Sequence, residues 1–458
     1  MKLLFVENRY ATLIWSEVAK HLSTAGHEIH WIVQNPVFRP QFGVAHQLPF
    51  PHRIRTSYAP VETDLNAVKY PDRSVTYYGR TRAHHGPYRR AITRLIGEVL
   101  PDVVFGEQTQ IHELLAIEAA KALQIPYLCP TATRYPVDRM TFCVNDTMQT
   151  IGGSGDGLAD SEVREMLVAI RERRVVPSYM RAPQMRRWRR ALHRAQDKAR
   201  ITWGWLRGER YLTPSPWRKF RLDRRHAENR RAWESFAREG LPDDMRGRKW
   251  ILYPLQMQPE ANIEVWGYPW HDQVEILRRV ADTLAESGTT LIVKPNPKSK
   301  YEMSQALCEL CASHPAIVPM SHRVKMHELL PQATAILSVT GTVILEAAFA
   351  RKPVAVLGDH DLARIPGVRS IAAPEEIRGV LLEVTEDRYP YADEQELTAY
   401  LRRLYAESYP GTPFDPVNQP ELATESNLRA LRESFTALLQ DLPRLWSRRG
   451  MRARELQQ

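Results

Sequence analysis

The sequence predicts an α/β protein with two doubly wound parallel-sheet domains, a basic helical insertion between them and a helical tail. Three observations carry this. Short apolar runs alternate with amphipathic stretches in two blocks, one from Met1 to about Cys143 and one from Trp250 onward. Between them, from Asp160 to about Gly240, strand signals stop while Arg and Trp accumulate. The length of 458 residues, 43% apolar, suffices for two or three domains at ~150 residues each.

The elements follow in order. LLFV (Leu3–Val6) reads as a buried strand, IWSEVAKHLSTAG (Ile14–Gly26) as a helix closed by glycine, and EIHWIV (Glu28–Val33) as a second strand. PDVVFGE (Pro101–Glu107), the helical IHELLAIEAAKALQI (Ile111–Ile125) and PYLCP (Pro126–Pro130) continue the alternation. GLPDDMRGRK (Gly240–Lys249) has the Gly, Pro and charge of a linker. The second block runs WILYPL (Trp250–Leu255), HDQVEILRRVADTLAESG (His271–Gly288), TLIVKP (Thr290–Pro295), YEMSQALCELCASH (Tyr301–His314) and AIVPM (Ala316–Met320). ATAILSV (Ala333–Val339), GTVILEAAFARK (Gly341–Lys352) and PVAVLG (Pro353–Gly358) complete it. Repeated strand–helix–strand units imply parallel sheets. The predicted division is 1–160, 161–240, 241–392 and a helical tail over 393–458.

Composition narrows the class. No stretch approaches the ~18 uninterrupted apolar residues of a membrane span, and MKLLFVENRY lacks the long apolar region of a signal peptide. Four cysteines in this length do not make a disulfide scaffold, which fits a reducing cytoplasm. The net charge of +10 is unevenly placed. Arg171 to Arg231 holds 20 Lys/Arg against five Asp/Glu, a local +15 that leaves −5 for the rest. Three readings fit this segment: a solvated helical hairpin, a surface that docks on anionic lipid through Trp188, Trp203, Trp205 and Trp217, or a nucleic-acid contact. Nucleic acid is the weakest, because no nucleic-acid-binding motif accompanies the charge.

Open α/β sheets bind ligands beyond the carboxyl ends of their strands. Three strand ends of the second block carry suitable groups. After ATAILS come Val339, Thr340, Gly341 and Thr342, and then a helix holding Glu346. Strand, small polar turn and helix N-terminus make an anion site, with the hydroxyls of Ser338, Thr340 and Thr342 as further donors. Glu346 can accept from ribose or sugar hydroxyls. After WILYPL stand Gln256, Gln258 and Glu260, and TLIVKP ends at Lys294 with Asn296 beyond. Each group alone is explained as a cap or polar loop; their convergence points to a ligand. No P-loop lysine and no GxGxxG occurs here, so neither an NTPase nor a dehydrogenase is favoured.

LQMQPEAN, VKPNP and SVTGTVILEAAFARKPVAVLG together resemble the C-terminal half of bacterial capsular polysaccharide biosynthesis proteins, a group that includes Kdo-transferring glycosyltransferases of the GT-B fold. The resemblance is strongest over Trp250–Ile371. It implies a nucleotide-sugar pocket of Gln256, Gln258, Glu260, Lys294, Asn296, Ser338, Thr340, Gly341, Thr342 and Glu346, with a CMP-linked donor. Asn296-Pro297 stands where the family carries His-Pro, keeping a hydrogen-bond donor but no positive charge. The implied architecture is GT-B-like, two sheet domains facing a cleft, and the implied activity is sugar transfer to a surface polysaccharide or lipid-linked glycan. Neither a cofactor nor a metal is expected, since basic groups and a helix N-terminus can stabilise a departing phosphate.

The acceptor is then expected on the first block. Glu107, at the end of its strand, is the candidate general base, and Arg134 and Arg139 are candidates for an anionic acceptor. The alternatives to a transferase are a nucleotide-sugar epimerase or hydrolase of the same architecture, or a non-catalytic nucleic-acid- or membrane-binding protein. Minor features are read as structural: Asp359-His360-Asp361 as a loop, Cys308 and Cys311 as helix residues, and His84-His85 as a surface loop. The expected location is cytoplasmic, peripheral on the inner face of the plasma membrane if the basic segment docks there.

Overall fold

The computed structural model describes residues 1–53, 68–181, 187–245, 247–358 and 360–455. They form two compact units, one of Met1–Asp160, Val175–Pro216 and Arg402–Gln458, the other of Ser161–Arg174 and Trp217–Leu401.

The first unit begins with β1 (Lys2–Val6), α1 (Ala11–Thr24), β2 (Glu28–Val33) and β3 (Val44–Gln47). After α2 (His85–Val99) come β4 (Val103–Phe105), α3 (Ile111–Ala122), β5 (Tyr127–Ala132) and β6 (Arg139–Val144). The basic segment supplies α4 (Asp160–Arg171), α5 (Arg187–Leu206) and α6 (Pro216–Phe236). In the second unit follow β7 (Trp250–Pro254), α7 (Gln273–Ala285), β8 (Thr290–Lys294), α8 (Gln305–Ser313), β9 (Ile317–Pro319) and β10 (Ala335–Ser338). Then come α9 (Thr342–Phe349), β11 (Val354–Leu357), β12 (Val368–Ile371), α10 (Ile377–Thr385) and α11 (Glu394–Ala406). The two-residue β13 (Tyr409–Pro410) and the long α12 (Glu425–Glu455) return to the first unit.

The first sheet has the order β13-β6-β5-β4-β1-β2-β3, parallel except for an antiparallel margin where β6 pairs β5 and β13. The second, β12-β11-β10-β7-β8-β9, is parallel throughout. The strands of the second sheet are nearly continuous apolar runs, as strands covered on both faces must be. Both strand orders reverse once, between β1 and β4 in the first sheet and between β7 and β10 in the second. Beyond the strand ends at such a reversal the flanking connections diverge, and ligands bind there.

The basic segment and the tail do not stand apart as the sequence suggested. Almost all of α4 and α6 belongs to the second unit and α5 to the first. The tail helix α12 buries Leu431, Phe435, Leu438, Leu439 and Leu442, a helical stripe, in the first core. Phe435 sits 5.0 Å from the Phe105 ring and 5.7 Å from the Trp15 ring. Burying side chains of this size contributes about 1.5–3 kcal/mol each, so the tail is part of the first fold.

Candidate functional site

At the reversal of the second sheet the ends of β10, β7 and β8 lie side by side. Gln256, just beyond β7, is held by Gln273 of α7: Gln256 N donates to Gln273 Oε1 at 2.7 Å, and Gln273 Nε2 donates to Gln256 O at 2.8 Å. The Gln256 amide then donates to Ser338 Oγ at 3.3 Å, and Ser338 Oγ donates to Thr340 O at 2.7 Å. These bonds shape the turn into α9. Gly341 is required in it: φ is +106°, and a Cβ there would lie 2.9 Å from Gln256 Oε1. Thr340 Oγ1 is buried without a hydrogen-bond partner among the described residues, and an unpaired buried hydroxyl is a polar group awaiting one.

Gln258 is fixed by three bonds, N to Glu302 Oε2 (3.0 Å), Nε2 to His271 O (3.0 Å) and Oε1 from Gln273 Nε2 (3.0 Å). Glu302 also accepts from Lys300 N, tying the loops after β7 and β8 together, and burial raises its carboxyl to about 7. Lys294 is 2% exposed at the end of β8, with its ammonium donating to Pro295 O at 2.8 Å. Burial pulls its pKa down to about 8. Asn296 accepts from Lys298 N at 2.8 Å and is half-buried, and Glu260 accepts from Asn262 at 3.3 Å. The Lys294 loop is anchored from below by Ser299, whose hydroxyl meets His322 Nε2 at 2.8 Å, while His322 Nδ1 meets Glu234 Oε1 at 2.6 Å. Burial works upward on Glu234, but hydrogen bonds from Ser321 and His322 hold it at about 2.

Glu346 differs from its expected role. In α9 it is 6% exposed, and its carboxylate accepts from Arg173 Nη1 at 2.7 Å. Arg171, two residues earlier, donates to Phe349 O at 2.6 Å and makes a two-pronged pair with Glu394 (2.7 and 3.2 Å), so α4 is pinned to α9. Thr342, the first residue of α9, is half-buried.

At the reversal of the first sheet the groups are acidic. Glu7, beyond β1, accepts from the backbone N–H of Arg9 (2.6 Å), Gln34 (3.1 Å) and Asn35 (2.8 Å). Asn8 donates to Thr109 and to Glu113 Oε1 (2.9 and 2.8 Å). Glu107 follows β4. Burial first, then the neighbouring Glu113 charge, push its pKa up to about 8, against a weaker downward pull from Arg73. Its carbonyl accepts from Tyr127 Oη at 2.6 Å, an approach that only the preceding glycine permits: a Cβ on Gly106 would lie 2.2 Å from that oxygen. A carboxyl titrating near neutrality at a strand end suits acid–base work.

The two arginines expected to meet an acceptor have different places. Arg134 is half-buried in the β5–β6 connection. Arg139 is spent inside the unit: it donates to Ser408 Oγ (2.7 Å), Ser408 O (2.8 Å), Ser154 Oγ (2.7 Å) and Asp156 (3.2 Å), and its guanidinium lies 4.0 Å over the Tyr405 ring. It ties β6 to the tail. His84 and His85, read as a surface loop, are buried, both against Asp72; residues this polar look like loop residues until the carboxylate they share is known. Cys308 and Cys311 are buried in α8, and burial raises both thiols, to about 11 for Cys308, which disfavours the thiolate a metal needs. Of the triplet 359–361, Asp359 lies outside the described residues; His360 contacts Val339 O at 2.6 Å and Asp361 pairs with Arg364 at 3.6 Å.

The basic segment presents a patterned surface. On α5, Trp188, Leu192, Trp203 and Leu206 are 59, 52, 54 and 57% exposed. Their spacing places them on one face, with Ala195 and Ala199 between them, also exposed. Arg194 and Lys198 flank this stripe on one side, Arg200 and Arg207 on the other. Among the described residues no helix is long and apolar enough to cross a membrane.

No curated protein matches the chain. Among solved structures, a UDP-GlcNAc 2-epimerase from Methanocaldococcus jannaschii aligns at 15% identity over 88% of this chain and 99% of its own (TM-score 0.25). The β-Kdo 2,7-transferase KpsC of Thermosulfurimonas dismutans aligns at 11% identity over 91% and 94% (TM-score 0.37). The calicheamicin glycosyltransferase CalG4 aligns at 14% over 94% and 98% (TM-score 0.27). With TM-scores below 0.5, these likenesses carry no argument about chemistry. Residues 221–369 match the family model described as capsule polysaccharide biosynthesis protein. That range contains α6 from Arg221 onward, β7 to β11 and every strand end of the second reversal, so the similarity to capsule polysaccharide biosynthesis proteins lies in the second unit.

Proposed function

We propose that the protein is a glycosyltransferase of GT-B type that takes a sugar from a nucleotide-sugar donor and transfers it to a capsular polysaccharide or glycolipid acceptor. The observation that carries this is the alignment of three strand ends at the second reversal, with Gln256, Ser338, Thr340 and Gly341 leading into the N-terminus of α9 and Lys294 beside them. A nucleotide phosphate suits that position. The dipole at the N-terminal end of α9 favours an anion, and Lys294 adds a charge. As the bond from the anomeric carbon to the phosphate breaks, the leaving oxygen gains charge, and these donors stabilise it without a metal. Glu107 in its ionised form takes the acceptor hydroxyl's proton while that oxygen bonds to the anomeric carbon. The donor is a CMP-, UDP- or GDP-sugar, with CMP favoured by the family's Kdo-transferring members.

Calorimetric titration with CMP, UDP, GDP and their sugars tests the pocket. One nucleotide binds, and Thr342→Ala weakens it by about tenfold, the loss of one hydrogen bond to a charged group; equal affinity in both proteins removes the assignment. Product analysis then separates transfer from the epimerase or hydrolase alternative, because release of free sugar or epimer with no acceptor present favours the latter. The exposed Trp/Leu stripe of α5, with cations on both flanks, has the form of a helix lying in a membrane interface. We assign it to anionic lipid, which would hold the enzyme beside a lipid-linked acceptor. Cosedimentation with phosphatidylglycerol-containing vesicles, lost in Leu192→Glu/Trp203→Glu, is the expected result; equal pelleting of both proteins removes the membrane role.

A further inference from the structure

The cluster at Asp72, His84 and His85 takes no part in the chemistry above, and it is built like a ligand set. Asp72 Oδ2 lies 2.8 Å from His84 Nε2 and 2.7 Å from His85 Nε2. One ligand-type atom from each residue falls within 4.8 Å of the others. The side chains are 3, 2 and 1% exposed. Two sequence-adjacent histidines aim the same ring nitrogen at one point because the short turn Arg82–His84 runs directly into α2, which starts at His85. Their rings stand at 85° to each other, so the two nitrogens approach from crossed planes. The other Asp72 oxygen, Oδ1, is fixed by Ser74 N at 2.8 Å, the kind of outer hydrogen bond that orients a ligating carboxylate. Tyr88 and Tyr211 pack their rings 6.0 and 5.7 Å from that of His84.

We propose that Asp72, His84 and His85 form a binding site for a first-row divalent cation, Zn2+ by its donor set, which ties the segment around Asp72 to the start of α2. Two imidazoles and one carboxylate are a recurrent zinc set, with a water or the nearby Ser74 hydroxyl as fourth ligand. Ser74 Oγ is 3.4 Å from His84 Nε2. Around zinc, tetrahedral ligand atoms sit about 3.3 Å apart, given metal–ligand bonds of ~2.0–2.1 Å. The present 2.7–2.8 Å separations therefore need to open by roughly half an ångström, which small side-chain rotations supply. The Nδ1 of His85 is buried without a hydrogen-bond partner among the described residues whether or not the metal is bound, so that atom does not decide between the two states; the donor set and its convergence do. A site this buried loads as the chain folds, and a structural rather than catalytic role follows.

The test uses untagged full-length protein from zinc- or cobalt-supplemented culture, dialysed against a weak chelator. Elemental analysis of the wild type gives close to one zinc per chain. The cobalt form shows the intense visible band of a tetrahedral site. His84→Gln/His85→Gln loses both signals, and Cys308→Ser/Cys311→Ser keeps both. If the double histidine variant does not fold, the single His85→Gln and the wild type decide. Wild-type protein that folds from both media with no bound metal and no cobalt band overturns the proposal. So does metal retained by the histidine variants or lost from the cysteine variants.

Discussion

At the first reversal, between β1 and β4, the strand ends deliver carboxylates: Glu7, Glu107 and, across the loop, Glu113. At the second, between β10 and β7, they deliver amides, hydroxyls, the N-terminus of α9 and one buried lysine. The two places share topology and differ in sign. In the first, burial and a neighbouring negative charge both disfavour ionisation, so Glu107 reaches about 8. In the second, burial disfavours a cation, so Lys294 falls to about 8. Similar architecture thus brings two groups of opposite charge to the same titration range, one suited to moving a proton and the other to holding a phosphate.

Glu107→Gln breaks that comparison most sharply. Loss of a general base lowers kcat by about 10²–10⁴, with nucleotide affinity unchanged because the groups proposed for the nucleotide belong to the other sheet. In the wild type, kcat rises with pH through about 8 as Glu107 ionises, and the variant loses that limb. Stability moves the other way. A carboxyl whose folded pKa is raised favours the native state at low pH, and that contribution is lost as pH climbs from its ordinary range through about 8. Chemical denaturation at pH 5 and pH 9 therefore shows a smaller loss for Glu107→Gln than for the wild type. An unchanged kcat removes Glu107 from the chemistry.

Gly341→Ala comes next. A side chain at φ +106° is strained, by about 1–3 kcal/mol, and its Cβ meets the Gln256 amide at 2.9 Å. Nucleotide affinity falls by about 10- to 100-fold by calorimetry, with a lower melting temperature. Lys294→Met has a smaller and mixed effect. It removes a phosphate contact and lowers affinity several-fold, yet it relieves a buried cation. A lysine with a depressed folded pKa destabilises the native state below about 8, and this cost fades only as pH rises towards the ordinary lysine range. The variant therefore melts a few degrees higher at pH 7. In the wild type, nucleotide affinity weakens above pH 8 as the lysine loses its proton, and in the variant it does not. A variant that melts lower at pH 7 would show that the ammonium is well satisfied where it lies.

Much of this was legible in the sequence because it is local. Apolar runs of four to six residues, each followed by a helical stretch, are enough to recover β1, β2, β4, β5 and most of the second sheet. Ser338, Thr340, Gly341 and Gln256 were legible as neighbours because strand ends at a sheet reversal lie side by side. What was hidden depends on partners far along the chain. β3 (VAHQ) is a polar edge strand with weak alternation, and β6 starts with Arg139, whose partner Ser408 is 269 residues away. An arginine that ties sheet to tail looks, in sequence, like one that meets an anionic acceptor. Glu346 shows the same limit: Arg173, 173 residues earlier, occupies the carboxylate expected to read a sugar hydroxyl. Asp72 lies 12 and 13 residues before its two histidines, too far for a helical or turn motif to betray them.

The Arg173–Glu346 pair sharpens the comparison by the smallest margin, since it asks whether α4 shapes the second reversal or merely rests on it. Under the proposed function Arg173 is a positioning residue: its guanidinium, 2.7 Å from Glu346, pairs with a carboxylate one turn into α9. Arg173→Gln keeps a donor but removes the charge. Arg171 still holds α4 through Phe349 O and Glu394, so the fold stays closed and the melting temperature changes little. Without the guanidinium the negative charge of Glu346 opposes the incoming phosphate more strongly, and nucleotide affinity falls by about threefold to tenfold, or roughly 1 kcal/mol. One readout separates this from a structural effect. Arg173→Lys recovers most of the affinity by restoring the charge with poorer geometry. A loss in Arg173→Gln that Arg173→Lys reproduces in full would mean that the guanidinium supports the packing of α4 and leaves the charge of the site untouched.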